Sequence, residues 1–403
     1  MLTFSYEAKD PATGKRIKAT IQAESESAAA KILTKQGYVP TKISNQDTGG
    51  PFAFLKNRIS AKDKVVFSRQ LSTLIGAGLP LTQSLQTTIE QTENKHLASI
   101  AQEILTSVEG GNTLADSFAK HPEAFDRVFV SLVEAGESSG TLDKALLRLA
   151  AQQEKDAEMM SKIRGAMVYP LIVLVVIFLV LGFMLFTVVP QIEKLYDDLK
   201  QNLPWVTEIM VGAANFVIHF WWLIIILAGI GGYFLAQYLK TEEGIQTKDS
   251  LKLNMPLFGD LFKKLYMARF MRTGQTLLAT GVPMLDTLKI CSEGVNNVHV
   301  AKSINHAATK VKGGKSLADS LKNEEYILTL VPQMISIGEK SGKVDEMMGK
   351  VASVYENELD NAIKSISTAI EPVLMVILAL VAGTMVAAIL LPIYNLVNTT
   401  GAL

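Results

Sequence analysis

The chain has 403 residues, more than one hydrophobic core usually serves, so two or more domains are expected. Its 39 Lys+Arg and 39 Asp+Glu balance, which argues against a nucleic-acid partner, because phosphates call for an excess of positive charge. The single cysteine, Cys291, excludes an intrachain disulfide, and the apolar share of 48% is concentrated in three segments.

The head, MLTFSYEAKDPATGKR, carries charges where a secretory signal would carry its apolar run, so the first domain is expected in the cytoplasm. In residues 1–45, FSYEAKD, a PATGK turn, RIKATIQAE, helical SESAAAKILTKQG and VPTKIS predict a small β-β-α-β element. A turn-rich linker follows at 46–60. Ser60 with Asp63 has the pattern of a capping box, opening a helix through Val65, Phe67, Leu71 and Leu74. Gly78 ends that helix, Pro80 opens the next, and Gly110–Gly111 marks another stop. From Leu142 no breaker interrupts the pattern before the first apolar segment, so one long helix is expected to lead from bundle to bilayer.

Three stretches carry no charge: 28 residues from Gly165 to Ile192, 31 from Ile209 to Leu239 and 32 from Pro372 to Leu403. Each exceeds the ~20 apolar residues a helix needs to cross the hydrocarbon. Near the span ends, Lys155, Lys162, Arg164, Lys240, Lys248, Lys252 and Lys364 lie on one side and Lys194 and Lys200 on the other. The richer side is the cytoplasmic one. The expected order is a first cytoplasmic helical bundle at 61–165, spans at 166–190, 216–239 and 372–392, an extracytoplasmic loop at 191–215, a second cytoplasmic bundle at 240–371 and an extracytoplasmic tail at 393–403. Trp205, Trp221, Trp222 and Tyr394 fall near the outer interface. Ala228, Gly232 and Ala236 in the second span, and Ala379, Gly383 and Ala387 in the third, have the spacing of helix-packing faces. His219 lies near the outer end of its span and is read as interfacial.

The strongest internal signal is a duplication. FSRQLSTLIGAGLPLTQSL from Phe67 returns as FMRTGQTLLATGVPMLDTL from Phe270, and GGNTLADSF from Gly110 returns as GGKSLADSL from Gly313, both at an offset of 203. After a one-residue deletion, AGESSGTLD matches IGEKSGKVD, and Pro170 and Pro190 match Pro372 and Pro392. Each copy is a helical bundle with its own membrane helix. The middle span returns the chain to its starting side.

Few residues invite chemistry. GGKS at 313–316 resembles the end of a phosphate-binding loop, but Thr309 stands where that loop needs glycine, so a helix stop and cap is the simpler reading. His96, His121, His219, His299 and His306 form no zinc pattern, and no Gly-x-Ser-x-Gly or triad context is present. No cofactor is expected. Glu154, Asp156 and Glu158 recur as Glu356, Glu358 and Asp360. Carboxylates four apart suit a cation or a basic partner, though a solvated helix face is simpler. Arg69 and Arg272, like Glu137 and Glu339, are also duplicated, and each Arg is expected to pair with the Glu of its own copy. With Gly78, Pro80, Gly140 and their counterparts Gly281, Pro283, Gly342, these are the candidate structural or partner-contact residues.

A Y-x-A-x-D…G element, twin F-x-R…(A/T)-G-x-P bundles, twin GE-x-SG-x-x-D turns and a final EP…LLP span together resemble the type II secretion system F family. This is the inner-membrane platform of type IV pilus and type II secretion machines, and the likeness covers nearly the whole chain. The resemblance implies a multi-pass bacterial inner-membrane scaffold, not an enzyme, that forms homo-oligomers among lipid and other inner-membrane assembly proteins. It would connect a cytoplasmic secretion or pilus ATPase to pilin or pseudopilin subunits. The copies differ at Tyr169-Pro170 against Glu371-Pro372, which points to a role for Glu371 that the first copy lacks. A small transporter subunit is the alternative, because repeats can build a midplane site, but three spans without an internal charge enclose little.

Overall fold

The structure, a computed structural model, describes residues 2–9, 16–23, 32, 39–45, 59–198, 205–256 and 258–400. The fold is mainly helical, with three helices long and apolar enough to cross a membrane. The chain divides into two compact units, residues 1–71 with 79–112, and residues 72–78 with 113–403.

In the first unit, strands β1 (Leu2–Lys9), β2 (Arg16–Ala23) and β3 (Val39–Asn45) pair antiparallel in the order β2-β1-β3. The helix expected between β2 and β3, and most of the linker at 46–60, lie outside the described residues. Helix α1 (Ala61–Gly76) opens on a reciprocal cap. The Ser60 N–H donates to Asp63 Oδ2 at 2.9 Å, and the Asp63 N–H to Ser60 Oγ at 3.1 Å. Helices α2 (Leu81–Gln91) and α3 (Lys95–Glu109) pack together, α3 through Leu97, Ile100, Ala101, Ile104 and Leu105. That spacing of three and four defines one helix face. Asn94 caps α3 and donates to Asp63 at 2.8 Å, fastening the two helix starts.

The second unit contains α4 (Leu114–Ala119) and α5 (Arg127–Ser138), then continues as α6 (Leu142–Phe183). Phe118, Phe125 and Phe129 meet with ring centroids 4.5 to 4.8 Å apart, two of the three pairs edge-on, the geometry that ring quadrupoles favour. A π turn at Met184–Val188 stands just before Pro190, whose ring cannot donate the next helical hydrogen bond. The helix resumes as α7 (Val189–Asp198), so the whole rod is 57 residues long. Residues 191–215, expected as a loop, are thus helical to Asp198 and again from Trp205. Val189 and Tyr196, seven apart, form a buried face, and the charges at Glu193, Lys194, Asp197 and Asp198 obscured that periodicity in the sequence.

After α8 (Trp205–Tyr238), the second bundle comprises α9 (Glu242–Asn254), α10 (Gly259–Ala279), α11 (Met284–Gly294), α12 (Val298–Lys312), α13 (Leu317–Leu321) and α14 (Leu330–Ser341). It ends in α15 (Val344–Thr400), again 57 residues. Its core is α10 against α15, where Leu265, Phe270, Leu277, Met348, Val351 and Leu359 are buried. At ~1.5 Å per residue each rod is about 85 Å long, over twice the ~30 Å hydrocarbon thickness. A little under half of each rod, residues 142–165 and 344–371, therefore belongs to its bundle. Helix α9 has no counterpart among the described residues of the first copy. Its Asp249 accepts the Val298 N–H at 3.1 Å and the Lys252 ammonium at 2.9 Å, anchoring α9 at the start of α12.

The spans meet in a small cluster of Met184, Val189, Val211 and Ala214, with Met385 packed against it. At the glycines of the small-residue faces no close packing occurs among the described residues. A Cβ placed on Gly232 or Gly383 would stand in open space, so that expectation is corrected. Small residues allow close approach without requiring it. His219 spends a ring nitrogen on the Asn215 carbonyl at 3.0 Å.

Both hairpins into the long rods depend on glycine for close approach. A Cβ on Gly136 would lie 2.5 Å from Ala145 Cβ, and one on Gly338 2.8 Å from Val344 Cα. Gly136→Ala and Gly338→Ala are each expected to destabilise by about 1–3 kcal/mol through overpacking. Gly229→Ala, where the space is open, should leave the melting temperature of the detergent-purified protein unchanged; equal melting of all three would refute the close-packing account.

Candidate functional site

The repeated GE-x-SG turns do one job in both copies. Glu137 accepts the Leu114 N–H at 2.9 Å and the Ala115 N–H at 3.1 Å, and Glu339 accepts those of Leu317 at 2.6 Å and Ala318 at 3.3 Å. The first N–H groups of a helix have no partner within it, and its N-terminus carries partial positive charge, so a carboxylate satisfies both needs. Thr113 and Ser316 cap the same helices, accepting from Asp116 and Asp319. GGKS is therefore a glycine stop and a serine cap, with Gly314 at φ +88°. Gly140 and Gly342 close the two turns.

The expected pairing of Arg272 with Glu339 is overturned. Arg272 forks onto Glu356, Nε to Oε1 and Nη2 to Oε2 both at 2.9 Å, and donates from Nη1 to Gln275 at 2.8 Å. A bidentate carboxylate on α15 suits the planar guanidinium, while two orphan backbone N–H groups hold Glu339 elsewhere. In the first copy Glu137 is held in the same way, and Arg69 lies on α1.

The carboxylate rows of the two rods meet basic side chains of this same chain. The Lys162 ammonium binds Asp360 at 2.7 Å and Glu158 at 3.0 Å, and Lys155 also reaches Glu158 at 3.3 Å. Lys264 bridges Asp260 and Glu358 at 2.8 and 3.2 Å. Asp360 raises the Lys162 pKa above the usual lysine range, Glu158 adding to it, and Lys162 with Lys155 lowers that of Glu158. A raised lysine loses its stabilising charge only as pH climbs through its folded value, a lowered glutamate only as pH falls through its own. The contact thus stays charged across the neutral range.

Higher on the same seam, the Gln152 amide donates to Thr273 Oγ1 at 2.8 Å in a buried setting. Asp156 faces Arg269 at 3.7 Å, too long for a hydrogen bond, and Arg269 Nε has no hydrogen-bond partner among the described residues. Burial raises the Asp156 pKa, with Arg269 pulling it down, although the side chain still reaches solvent. Between these rungs a groove of about 790 Å³ opens, lined by Glu154, Arg148, Lys155, Arg272 and Lys343. Arg127 adds an ion pair to Glu293 at 3.1 Å, and Val128 occupies the space a Cβ on Gly294 would need.

The remaining candidates fall at turns and on the rods. Pro80 and Pro283 cap α2 and α11, preceded by Gly78 at φ +85° and Gly281 at φ +87°, left-handed values that favour glycine. Glu371 is exposed on α15, as is its counterpart Tyr169 on α6. Lys162, Gln152, Arg269 and Thr273 were not singled out from the sequence. The charge recurring at Lys162 and Lys364 beside each acidic row was the one available signal. No cluster of metal-ligating groups occurs among the described residues.

A family model described as type II secretion system (T2SS), protein F matches residues 67–190 and again 270–392, and the model of that protein's N-terminal domain matches 1–44. The chain is 36% identical to a type IV pilus assembly protein PilC of Thermus thermophilus, covering 99% of both chains. It is 35% identical to PilC of Pseudomonas aeruginosa, over 92% of this chain and 98% of that one. It is 31% identical to a type II secretion system protein F of Xanthomonas campestris across the full length of both.

A double-mutant cycle separates the observed pairing from the expected one. Arg272→Ala and Glu356→Ala should each cost about 2–4 kcal/mol, with strong positive coupling, because either change strands a partly buried charge. Arg272→Ala with Glu339→Ala should add within ~0.5 kcal/mol. Denaturant melts of the purified protein measure both, and coupling to Glu339 instead of Glu356 would reverse the assignment.

Proposed function

This chain belongs to the type II secretion system F family, and from that premise we propose that it is the inner-membrane platform of a type IV pilus or type II secretion machine. In this reading it couples a cytoplasmic ATPase to the assembly of pilin or pseudopilin. Both bundles and the small N-terminal α+β element face the cytoplasm and the C-terminus lies outside, as the lysine and arginine bias favours. No catalytic set or nucleotide loop is needed, since the ATPase supplies the energy.

One observation carries the mechanism: each bundle continues without a loop into a 57-residue rod, and the rods are tied by Lys162–Asp360 where they leave the bundles. A helix transmits tilt or rotation along its axis, whereas a loop dissipates it. A push on one bundle therefore moves both spans together. The carboxylate clips of Glu137 and Glu339 hold the short helices α4 and α13 against the rod-bearing hairpins, so each short helix moves with its rod.

Deleting the gene should abolish surface pili or secretion, and full-length protein in nanodiscs should retain the cognate ATPase in pull-downs. Lys162→Glu should reduce assembly at unchanged membrane level and unchanged ATPase retention, and Lys162→Glu with Asp360→Lys should restore much of it. Normal assembly in the single variant would remove the tie from the mechanism. Failure of the full chain to retain any ATPase would count against the platform reading itself.

A further inference from the structure

Helix α9 carries a face that its bundle does not use. Its inner side packs on α10 and α12: Asp249 and Leu253 are buried, and the Asn297 amide donates to the Asp249 carbonyl at 3.3 Å. A ring nitrogen of His299 meets the Gln246 carbonyl at 3.1 Å on the same side. The outer side presents Thr247, Lys248, Leu251 and Met255, neighbours at the spacing of one helix face. Leu251 is 59% and Met255 36% exposed, the two large apolar side chains of that face. Lys248, and Lys240 in the preceding turn, are exposed and make no ion pair among the described residues.

Both ends of α9 stand next to the bilayer. Tyr238 ends the span α8, and Gly244 packs directly on the Tyr238 carbonyl, so the chain turns back at once. The Tyr238 and Thr247 hydroxyls lie 3.4 Å apart, which sets the end of the span beside the outer face of α9. The other end leads into α10, which runs antiparallel to α15: Gly274 meets Met348, Arg272 meets Glu356 and Lys264 meets Glu358. The start of α10 is therefore its end nearest the membrane, and at ~1.5 Å per residue it stands roughly 14 Å short of Pro372 along the rod. A helix with its side chains has a radius of ~5–6 Å, so the outer face of α9 reaches the headgroup layer. We propose that α9 is an interfacial helix whose outer face is covered by the surface of the adjacent leaflet. Leu251 and Met255 enter the headgroup–acyl boundary, and Lys240 and Lys248 meet lipid phosphates. Glu242 and Glu243 lie in the first turn, where the helix dipole favours them, so the anchor draws on apolar insertion and phosphate contacts and not on net charge. Because Asp249, Asn297 and His299 fasten α9 to α12, the contact fixes the height of the second bundle against the membrane. This inference rests on the spans crossing a bilayer and not on which machine the chain serves.

Full-length chains with Leu251→Cys, Met255→Cys or Leu285→Cys are spin-labelled and reconstituted in vesicles of phosphatidylethanolamine and phosphatidylglycerol. Leu285 is 41% exposed on α11, beyond the far end of α10, and serves as the site in water. Cys291 is buried and the wild-type chain is the blank. Collisions of each label with oxygen, which partitions into lipid, and with a nickel chelate, which stays in water, are measured. The oxygen-to-nickel ratio at Leu251 and at Met255 should be several-fold that at Leu285. A ratio at either site equal to that at Leu285 overturns the proposal, because the face is then in water. Low collision with both reagents overturns it too, because protein then covers the face. Lys240→Gln with Lys248→Gln should lower the Leu251 ratio, and an unchanged ratio rejects the phosphate contacts.

Discussion

The architecture depends on two hairpins in which a glycine lets a short helix lie directly on the start of a long one. At Gly136 and Gly338 there is no room for a methyl group, and the next residue, Glu137 or Glu339, reaches across to the open N-terminus of a third helix. Contact and clip are inseparable: without the close approach the carboxylate would not reach the backbone N–H groups, and without the carboxylate those groups would be unpaired beside buried Leu114 and Leu317. The first residues of each rod are thus held by the bundle, which makes 57 residues of helix a lever and not a tether.

Two solvents act on each rod. Where Leu171, Phe178 and Leu179 are 62–70% exposed, the bilayer is their environment, and a helix satisfies its own backbone there without neighbours. The spans can therefore meet at one small cluster and stay apart elsewhere. In the bundle half the opposite holds, and the seam buries Gln152 against Thr273 and pairs Lys162 with Asp360. The seam between the copies is polar, with Gln152–Thr273, Asp156–Arg269 and Lys162–Asp360 in succession. The core between α10 and α15 is instead apolar and interlocked, Met348 filling the space that Gly274 leaves open. Polar contacts exchange partners at little cost and packed cores do not, so the seam is the weaker of the two contacts.

Spans, glycine stops and the duplication were legible because each is local or periodic: lack of charge over 28 residues or more, glycine before proline, the same words at a fixed offset. The Ser60–Asp63 cap was legible for the same reason. Partner choice was not. Arg272 and Glu339 recur together with Arg69 and Glu137, and recurrence suggested pairing, yet a carboxylate facing two orphan N–H groups is already satisfied. Arg272 finds Glu356 84 residues away, and Lys162 finds Asp360 at a separation of 198. No one-dimensional pattern specifies such contacts. The region after the first span failed for another reason, its charged face outweighing the buried face of Val189 and Tyr196.

Duplication has a consequence within the chain. Two copies joined by a membrane helix meet at high effective concentration, so the contact between them needs little affinity of its own and tolerates a polar seam. The face of the first hairpin that makes this contact carries Ala135 and Gln152, while the same positions of the second hairpin carry Ile337 and Val354, both exposed. The two copies have thus kept the glycine contact and the carboxylate clip that hold each rod, and have diverged in the faces the rods present.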